Sequence, residues 1–239
     1  MPAELDICLT PDLLHLYDLT GKVVVVVDIF RATSCMVAGL GSGVTEIVPV
    51  LTIEECYAYK PMGYVLAGER NGIAIEDFDL GNSPLGFIRP ELAGKKIAMT
   101  TTNGTKALSL SRAADQVIVG AFLNIQTVID YLRAAQKDVL LVCAGWRGNV
   151  NMEDTLFAGA VAEQLAADLQ LESDTVQLSR ILYARALAAP SLQAFLEYSK
   201  HYQRLVTRDP AVEADLAFNL TLNSYPVLPY LDGERLLLL

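Results

Sequence analysis

Short apolar runs alternate along this chain with segments whose apolar residues recur at helical spacing. The runs predict β-strands at residues 5–9, 22–28, 46–50, 64–68, 96–99, 116–119, 139–143 and 227–231. The segments of helical spacing predict α-helices at residues 33–40, 52–59, 105–112, 124–135 and 153–169. Thr52 with Glu55 predicts a capping box, and Asn124 a further N-cap. This alternation indicates the α/β class, here a three-layer α/β/α fold with a mainly parallel, mixed sheet.

The pattern changes at residue 173, after which strand-like runs stop and helical spacing dominates up to residue 222. We therefore predict one domain over residues 1–239, with 173–222 as a mainly helical C-terminal excursion. The excursion would cover the sheet, form a lid or build a homodimer contact, and the sequence leaves these alternatives open. The apolar residues 236–239 are too few to span a bilayer, so they predict a packed edge strand or an interface segment.

Composition and charge narrow the classes of partner. The chain has 239 residues, 52% of them apolar, and a formal charge of −10. Because nucleic acids and anionic membranes bind clustered basic residues, this charge argues against both. The four cysteines form no C-x-x-C pair, and no apolar run suits a signal peptide or a membrane span, so we expect a cytoplasmic protein with reduced, buried thiols.

A polar cluster follows the five-valine run 23–27, which predicts a strand buried on both faces. Asp28 offers a carboxylate for a metal or for nucleophilic attack, and Arg31 offers a positive fork. Thr33 and Ser34 add hydroxyls and N–H groups at a predicted helix N-terminus. Since open α/β sheets bind ligands at the carboxyl edge of their strands, the cluster predicts a site for a phosphorylated ligand. A simple strand end with an N-cap explains it equally well.

A second polar turn follows the predicted strand 96–99. Thr101, Thr102, Asn103, Gly104 and Thr105 combine hydroxyls and N–H groups with a glycine that is free to adopt positive φ. A plain turn needs only one such group. The set therefore predicts a site that binds an anion.

Acidic residues stand at two further element ends. Glu69 and Arg70 follow the strand 64–68, and because neighbouring strand residues point in opposite directions they predict separate roles. Glu153 and Asp154 open a long helix, where acids ordinarily compensate the helix dipole. Together with Asp28 and Glu69 they would also form the oxygen-rich site that Mg²⁺ takes.

The chain lacks residues that several enzyme classes require. No G-x-x-x-x-G-K-[ST] segment exists, which excludes the P-loop NTPases. The only two histidines, His15 and His201, lie outside the polar segments described above. Histidine phosphatases, His-based zinc hydrolases and Ser-His-Asp hydrolases are therefore not expected, and the chemistry is expected to use carboxylates, hydroxyls, arginines and Mg²⁺.

Taken together, these motifs resemble the 2-phosphosulfolactate phosphatase family. The resemblance rests on the order and spacing of segments 28–34, 68–70, 78–84, 101–105, 143–145 and 153–154. It implies a Mg²⁺-dependent hydrolase that converts (R)-2-phospho-3-sulfolactate, a small anionic phosphoester, to 3-sulfolactate and phosphate, a step of coenzyme M biosynthesis. A closely related phosphorylated acid is the alternative substrate.

On this interpretation Asp28, Glu69 and an acid of the Glu153–Asp154 pair hold Mg²⁺. Arg31 and Arg70 bind the phosphate and the sulfonate or carboxylate groups, and the threonine-rich turn donates hydrogen bonds. The nucleophile is either Asp28 or metal-bound water, with a slight preference for water. Two rivals stay open: a non-catalytic protein that binds such a metabolite, and a lyase or isomerase that uses the same anion site.

Overall fold

The computed structural model describes residues 3–239. In this part of the chain one ten-stranded sheet runs in the order β1-β8-β2-β7-β9-β10-β3-β6-β4-β5. The strands are β1 Leu5–Cys8, β2 Val23–Val27, β3 Glu46–Pro49, β4 Val65–Arg70, β5 Ile73–Ala74, β6 Lys96–Thr100, β7 Gln116–Gly120, β8 Val139–Cys143, β9 Pro229–Asp232 and β10 Arg235–Leu238.

The sheet consists of two parallel sets joined by an antiparallel hairpin. Strands β1, β8, β2 and β7 are mutually parallel, and so are β3, β6 and β4. The hairpin β9–β10 lies between the sets and pairs antiparallel to β7 on one side and to β3 on the other. The prediction of a mainly parallel, mixed sheet is therefore confirmed. The C-terminal run is not the edge strand that the sequence suggested, because β10 lies in the interior of the sheet.

Helices cover both faces of this sheet, which confirms the three-layer architecture. On one face α1 packs against β7, β3 and β9, and α4 packs against β2 and β3. On the other face α6 packs against β8 and β2, and α7 packs against β1. The helices are α1 Ala32–Gly41, α2 Ile53–Ala58, α3 Pro84–Phe87, α4 Gly104–Leu110, α5 Ile125–Ala135, α6 Met152–Gln164, α7 Asp174–Leu187, α8 Leu192–Leu196, α9 Lys200–Arg208 and α10 Val212–Asn219. Short 3₁₀ segments lie at Pro11–Leu16, Lys60–Met62, Pro90–Leu92 and Phe122–Asn124.

Burial explains why the central strands read as unbroken apolar runs. All five valines of β2 are buried, since helices cover both faces of this strand. The four cysteines are free and buried, as expected from their apolar surroundings. Among residues 3–239, no helix combines the length and the hydropathy that a bilayer crossing requires.

The two predicted helix starts have different outcomes. The Thr52 hydroxyl accepts a hydrogen bond from the Glu55 N–H at 3.0 Å, and the Glu55 carboxylate accepts one from the Thr52 N–H at 3.0 Å, so the capping box is confirmed. Asn124 does stand at the N-cap of α5, but its side chain does not cap that helix. Its amide nitrogen donates to the carbonyls of Val119 and Val227 instead, which ties the helix start to the strand that precedes it.

The two parallel sets run in opposite senses along the ladder, because three antiparallel pairings separate β7 from β3. In a flat sheet the carboxyl ends of β2 and β6 would then lie at opposite edges. Neighbouring strands, however, twist by roughly 20–25° each, so the five ladders between β2 and β6 turn the strand direction by roughly 100°. The turns that follow β2 and β6 are in contact in this structure, as described below.

Helices α6 and α7 approach each other closely at Gly159. A Cβ built on Gly159 would lie 2.0 Å from the carbonyl oxygen of Ser179, which is backbone and has no rotamer to change. We expect Gly159→Ala to lower the free energy of unfolding by about 3 kcal/mol, measured by urea denaturation. Gly86→Ala is the control, because a Cβ on this helical glycine meets nothing within 4 Å. An unchanged unfolding midpoint in Gly159→Ala would contradict the close packing of these two helices.

Candidate active site

A small cavity, partly open to solvent, lies where the turns after β2, β4 and β6 meet helix α9. Of the site residues predicted from sequence, five line it: Asp28, Arg31, Glu69, Thr102 and Asn103. These residues come from three separate turns. The structure therefore brings together acids, an arginine and polar groups that are far apart in sequence.

Asp28 is buried directly after β2, in a turn that its neighbours shape. The N–H of Asp28 donates to the Thr33 hydroxyl at 2.9 Å, and the Ser34 hydroxyl donates to the Ile29 carbonyl at 3.1 Å. Both hydroxyls are fully buried and used within the turn. Thr33 and Ser34 thus position Asp28. Contrary to the prediction from sequence, neither residue lines the cavity.

Gly104 brings the turn after β6 against Asp28. A Cβ on this glycine would lie 2.8 Å from the Oδ2 atom of Asp28 and 2.6 Å from the Cβ of Ala32. Gly104 is not in the positive-φ region. Gly104 therefore does not use its freedom to adopt a positive φ, and it is the close approach of two turns that requires a glycine here.

The Asp28 carboxyl lies in an environment that disfavours its charge. Its Oδ1 atom accepts one long hydrogen bond, from the Ala32 N–H at 3.4 Å, and no salt bridge to it exists among residues 3–239. Burial is the largest cause that raises the pKa of Asp28 to about 7, and Glu69 and Glu153 raise it further. His201 and the Ala32 N–H act in the opposite direction. The described residues therefore provide no salt bridge that would offset the burial of this carboxyl.

Glu69 and Arg70 point to opposite sides of β4, as the strand geometry predicts. Glu69 faces the cavity and accepts hydrogen bonds from the N–H groups of Thr102, at 2.7 Å, and Gly72. The Arg70 guanidinium donates to the Leu51 carbonyl at 2.8 Å and the Thr100 hydroxyl at 2.6 Å. Arg70 does not line the cavity, so the structure does not bring it to the place where a substrate would meet it.

The threonine-rich turn is largely bonded to itself. The Thr105 N–H donates to the Thr101 hydroxyl at 3.1 Å, and the Thr105 hydroxyl donates to the Thr101 carbonyl at 2.9 Å. The Thr102 hydroxyl accepts from the N–H of Asn71 at 3.0 Å. Thr101 and Thr105 therefore stiffen the turn, and only Thr102 and Asn103 present atoms to the cavity.

Glu153 and Asp154, at the start of α6, are fully buried and do not line the cavity. The Asp154 carboxylate accepts from the N–H groups of Ile29 at 2.8 Å and Gly145 at 3.0 Å, so it holds the turns after β2 and β8 together. Glu153 pairs with the Nδ1 atom of His201. Among residues 3–239 no cluster of three His, Cys, Asp or Glu side chains suited to a metal ion is present.

Arg31 is fixed by a residue from the helical excursion. Its Nη1 atom lies 2.5 Å from the Oδ2 atom of Asp215 on α10, and the Ser83 hydroxyl donates to the other oxygen of Asp215 at 2.6 Å. The side chains of Arg31 and Asp215 are only 13% and 9% exposed. The segment 173–222 thus contributes directly to the site.

Sequence reasoning missed most of the wall that α9 and the loop after β8 contribute. Trp146, His201 and Arg204 line the cavity, and Asn71 adds a further polar group. His201 had been set aside because it lies outside the polar segments, yet its ring stacks on Trp146 with the ring centres 6.1 Å apart. The only feature of the sequence that could have indicated Trp146 and His201 is that these residue types are rare, since the chain has one tryptophan and two histidines.

Comparisons with known proteins agree on one family. The family model described as 2-phosphosulpholactate phosphatase matches residues 8–234. A probable 2-phosphosulfolactate phosphatase of Caldanaerobacter subterraneus is 38% identical, and the alignment covers 90% of each chain. Proteins of the same name from Clostridium perfringens and Thermotoga petrophila are 33% and 36% identical, over 97% and 88% of this chain and 95% and 89% of their own lengths. The resemblance drawn from the sequence motifs is confirmed.

Proposed function

The chain belongs to the 2-phosphosulfolactate phosphatase family, and from this premise we propose that it hydrolyses (R)-2-phospho-3-sulfolactate, or a closely related phosphorylated small acid. The products are 3-sulfolactate, or the corresponding hydroxy acid, and phosphate. The observation that carries the proposal is that Asp28, Arg31 and Glu69 line one small cavity. The cavity is small and its wall is mainly polar and charged, which suits a small anionic ligand.

Mg²⁺ is the cofactor that we propose, and the residues present fit it. Asp28 is a buried carboxylate without a salt bridge among the described residues, and Glu69 is a second carboxylate in the same wall. Proteins commonly hold Mg²⁺ through one or two carboxylates, with water and substrate phosphate completing its shell. Asp28 and Glu69 would hold the ion, while Glu153 and Asp154 do not line the cavity. When bound, it supplies positive charge to the phosphoryl oxygens.

The chain's own groups perform the remaining tasks of phosphoryl transfer. Arg31 binds phosphoryl oxygens with the part of its fork that Asp215 leaves free, and Asp215 fixes its orientation. Asp28 accepts the proton of the attacking water, whose oxygen bonds to phosphorus as the bond between phosphorus and the ester oxygen breaks on the opposite side. The leaving oxygen takes a proton from solvent, which gives the hydroxy acid and phosphate. If acid quenching of the reaction traps a phosphoryl group on Asp28, the nucleophile is Asp28 and not water.

The function is tested by following the substrate by ³¹P NMR after the protein has been stripped with EDTA and resupplied with Mg²⁺. We expect free phosphate from phosphosulfolactate only when Mg²⁺ is present. Saturable binding without phosphate release would indicate a binding protein instead. Loss of substrate without phosphate release would indicate a lyase or an isomerase.

Two expectations about the whole protein stay predictions. A homodimer is testable by light scattering during gel filtration. A cytoplasmic location accords with four free, buried thiols, since reducing compartments keep cysteines unpaired.

A further inference from the structure

One cation of the cavity wall is Arg204, and an aromatic stack holds it in place. Its guanidinium carbon lies 4.2 Å from the centre of the Trp146 ring, which is the range of a cation–π contact. The His201 ring stacks on the same indole at an interplanar angle of 20°. Arg204 is therefore presented to the cavity by a rigid platform.

Arg204 lacks the acceptors that its neighbours have. Arg31 has Asp215, Arg208 donates to the Asn71 carbonyl, and Arg147 donates to the Asn71 side chain. The Arg204 Nε atom, in contrast, is buried without a hydrogen-bond partner, and no carboxylate of residues 3–239 forms a salt bridge with this side chain. A buried donor without an acceptor is unfavourable, and more so when it carries charge.

The electrostatic surroundings point to an anion as the missing partner. Burial is the largest cause that lowers the pKa of Arg204, and the positive charges of Arg208 and Arg147 lower it further. Glu69 and Glu153 act in the opposite direction without bonding to the guanidinium. A ligand oxyanion at this position would relieve the repulsion and satisfy Nε.

We propose that Arg204 binds a second acidic group of the substrate, the sulfonate or the carboxylate next to the carbon that carries the phosphoester, and thereby makes the site specific for phosphorylated acids. This inference rests on the proposed function and deepens it. Arg31, beside Asp28, binds the phosphate, and Arg204 binds the other end of the same small molecule. The sequence predicted that Arg70 binds this acidic group, and we assign the contact to Arg204 of α9 instead.

The loop after β4 fixes the position of α9 relative to the acids of the site. Arg208, one turn beyond Arg204, donates to the carbonyl of Asn71, and Arg147 donates to the side chain of the same residue. Asn71 follows Glu69 by two positions, and its N–H donates to Thr102. The arginine that binds the acidic group and the carboxylate proposed for Mg²⁺ are therefore held in one frame.

The test compares substrates that differ in the second acidic group. Phosphosulfolactate carries a carboxylate and a sulfonate, 2-phospholactate carries a carboxylate alone, and phenyl phosphate carries neither. We expect Arg204→Met to lower kcat/KM for phosphosulfolactate by about 100-fold, as for a charged hydrogen-bonded contact, and for phenyl phosphate by less than about 3-fold. If Arg204→Met loses as much kcat/KM on 2-phospholactate as on phosphosulfolactate, Arg204 binds the carboxylate. If kcat/KM for 2-phospholactate changes little, Arg204 binds the sulfonate.

Lys200→Met is the matched control, because it removes one positive charge from the same helix, one turn before Arg204, at an exposed side chain that does not line the cavity. We expect it to lower kcat/KM for phosphosulfolactate by no more than about 3-fold, whereas Arg204→Lys should keep part of the wild-type preference. Equal losses on all three substrates in Arg204→Met would overturn the proposal, and so would an unchanged kcat/KM for phosphosulfolactate.

A binding measurement separates this inference from the proposed reaction. Titration calorimetry with 3-sulfolactate needs no turnover, and we expect its Kd to rise by about 100-fold in Arg204→Met and to change little in Lys200→Met. If the wild type binds 3-sulfolactate in this way but releases no phosphate, the reaction is wrong and the anion site stands. If phosphate is released but Arg204→Met binds 3-sulfolactate as tightly as the wild type, the anion site is wrong.

Discussion

Asp28→Asn is expected to lower the rate of phosphate release by a factor on the order of 10³ to 10⁴, the usual loss for a carboxylate in the reacting centre. Asn keeps the size of the side chain and an oxygen for the Ala32 N–H, but it neither accepts the proton of the attacking water nor holds Mg²⁺ as a carboxylate does. The rate is measured by phosphate release from phosphosulfolactate at saturating Mg²⁺.

The same substitution is expected to stabilise the metal-free protein at high pH. An unfolded aspartate ionises near 3.8, whereas burial raises the pKa of Asp28 to about 7 in the fold. Because the folded-state pKa is the higher one, the stabilisation that protonated Asp28 gives is complete below pH 3.8 and is lost as the pH rises to about 7. Asn does not ionise, so Asp28→Asn should raise the free energy of unfolding at pH 8 by about 2 to 4 kcal/mol.

Urea unfolding in EDTA at pH 4 and pH 8 measures this difference, which should be small at the lower pH. Mg²⁺ should then stabilise the wild type and leave the variant unchanged, since only a ligand that binds the folded state raises stability. A variant that is less stable than the wild type at pH 8 would contradict the environment assigned to Asp28. If Asp28→Asn hydrolyses phosphosulfolactate at nearly the wild-type rate, Asp28 has no role in the reaction.

Asp215→Ala is expected to be the second large effect, because it leaves the Arg31 guanidinium without its acid. The pair is 2.5 Å apart and nearly buried, and removal of one partner of such a pair costs about 3 kcal/mol of stability. The Ser83 hydroxyl loses its acceptor as well. Since Arg31 would no longer be held in its orientation, we also expect kcat/KM to fall by about 100-fold.

Glu213→Ala is the control for this substitution. It removes the same charge from the same helix, but Glu213 is exposed. We expect no more than about 0.5 kcal/mol of change in its unfolding free energy and no change in activity. If Asp215→Ala and Glu213→Ala behave alike in urea unfolding and in phosphate release, the pairing of Arg31 with α10 has no role in the site.

Local pattern was sufficient for the main strands and helices up to residue 164, but it did not predict β5 or the short 3₁₀ segments. The apolar run of β2 and the helical spacing of α1 and α5 depend on residues that are neighbours in sequence, so the predicted elements match the observed ones to within a few residues. The exception is instructive. Residues 236–239 read as an edge strand, and only the pairing of β10 with both β9 and β3 shows that it joins two parallel sets.

The candidate site divides in the same way. Asp28, Arg31 and Glu69 were found because polar residues directly after buried strands are visible in the sequence itself. Thr33, Ser34 and Asp154 looked equally suitable, but their polar atoms bond to neighbouring backbone. A sequence shows which groups can form hydrogen bonds, and it does not show which of those bonds the fold has already used.

By itself, the sequence predicted the α/β class and, among the residues that line the cavity, Asp28, Arg31 and Glu69, since these follow from residue type and near neighbours. The order and spacing of its motifs indicated the family by resemblance. The tertiary structure alone decided that α9 and α10 belong to the site, that Asp215 holds Arg31, and that Arg204 and not Arg70 lines the cavity. The physical reason is that these contacts join residues as many as 184 positions apart, where spacing along the chain carries no information.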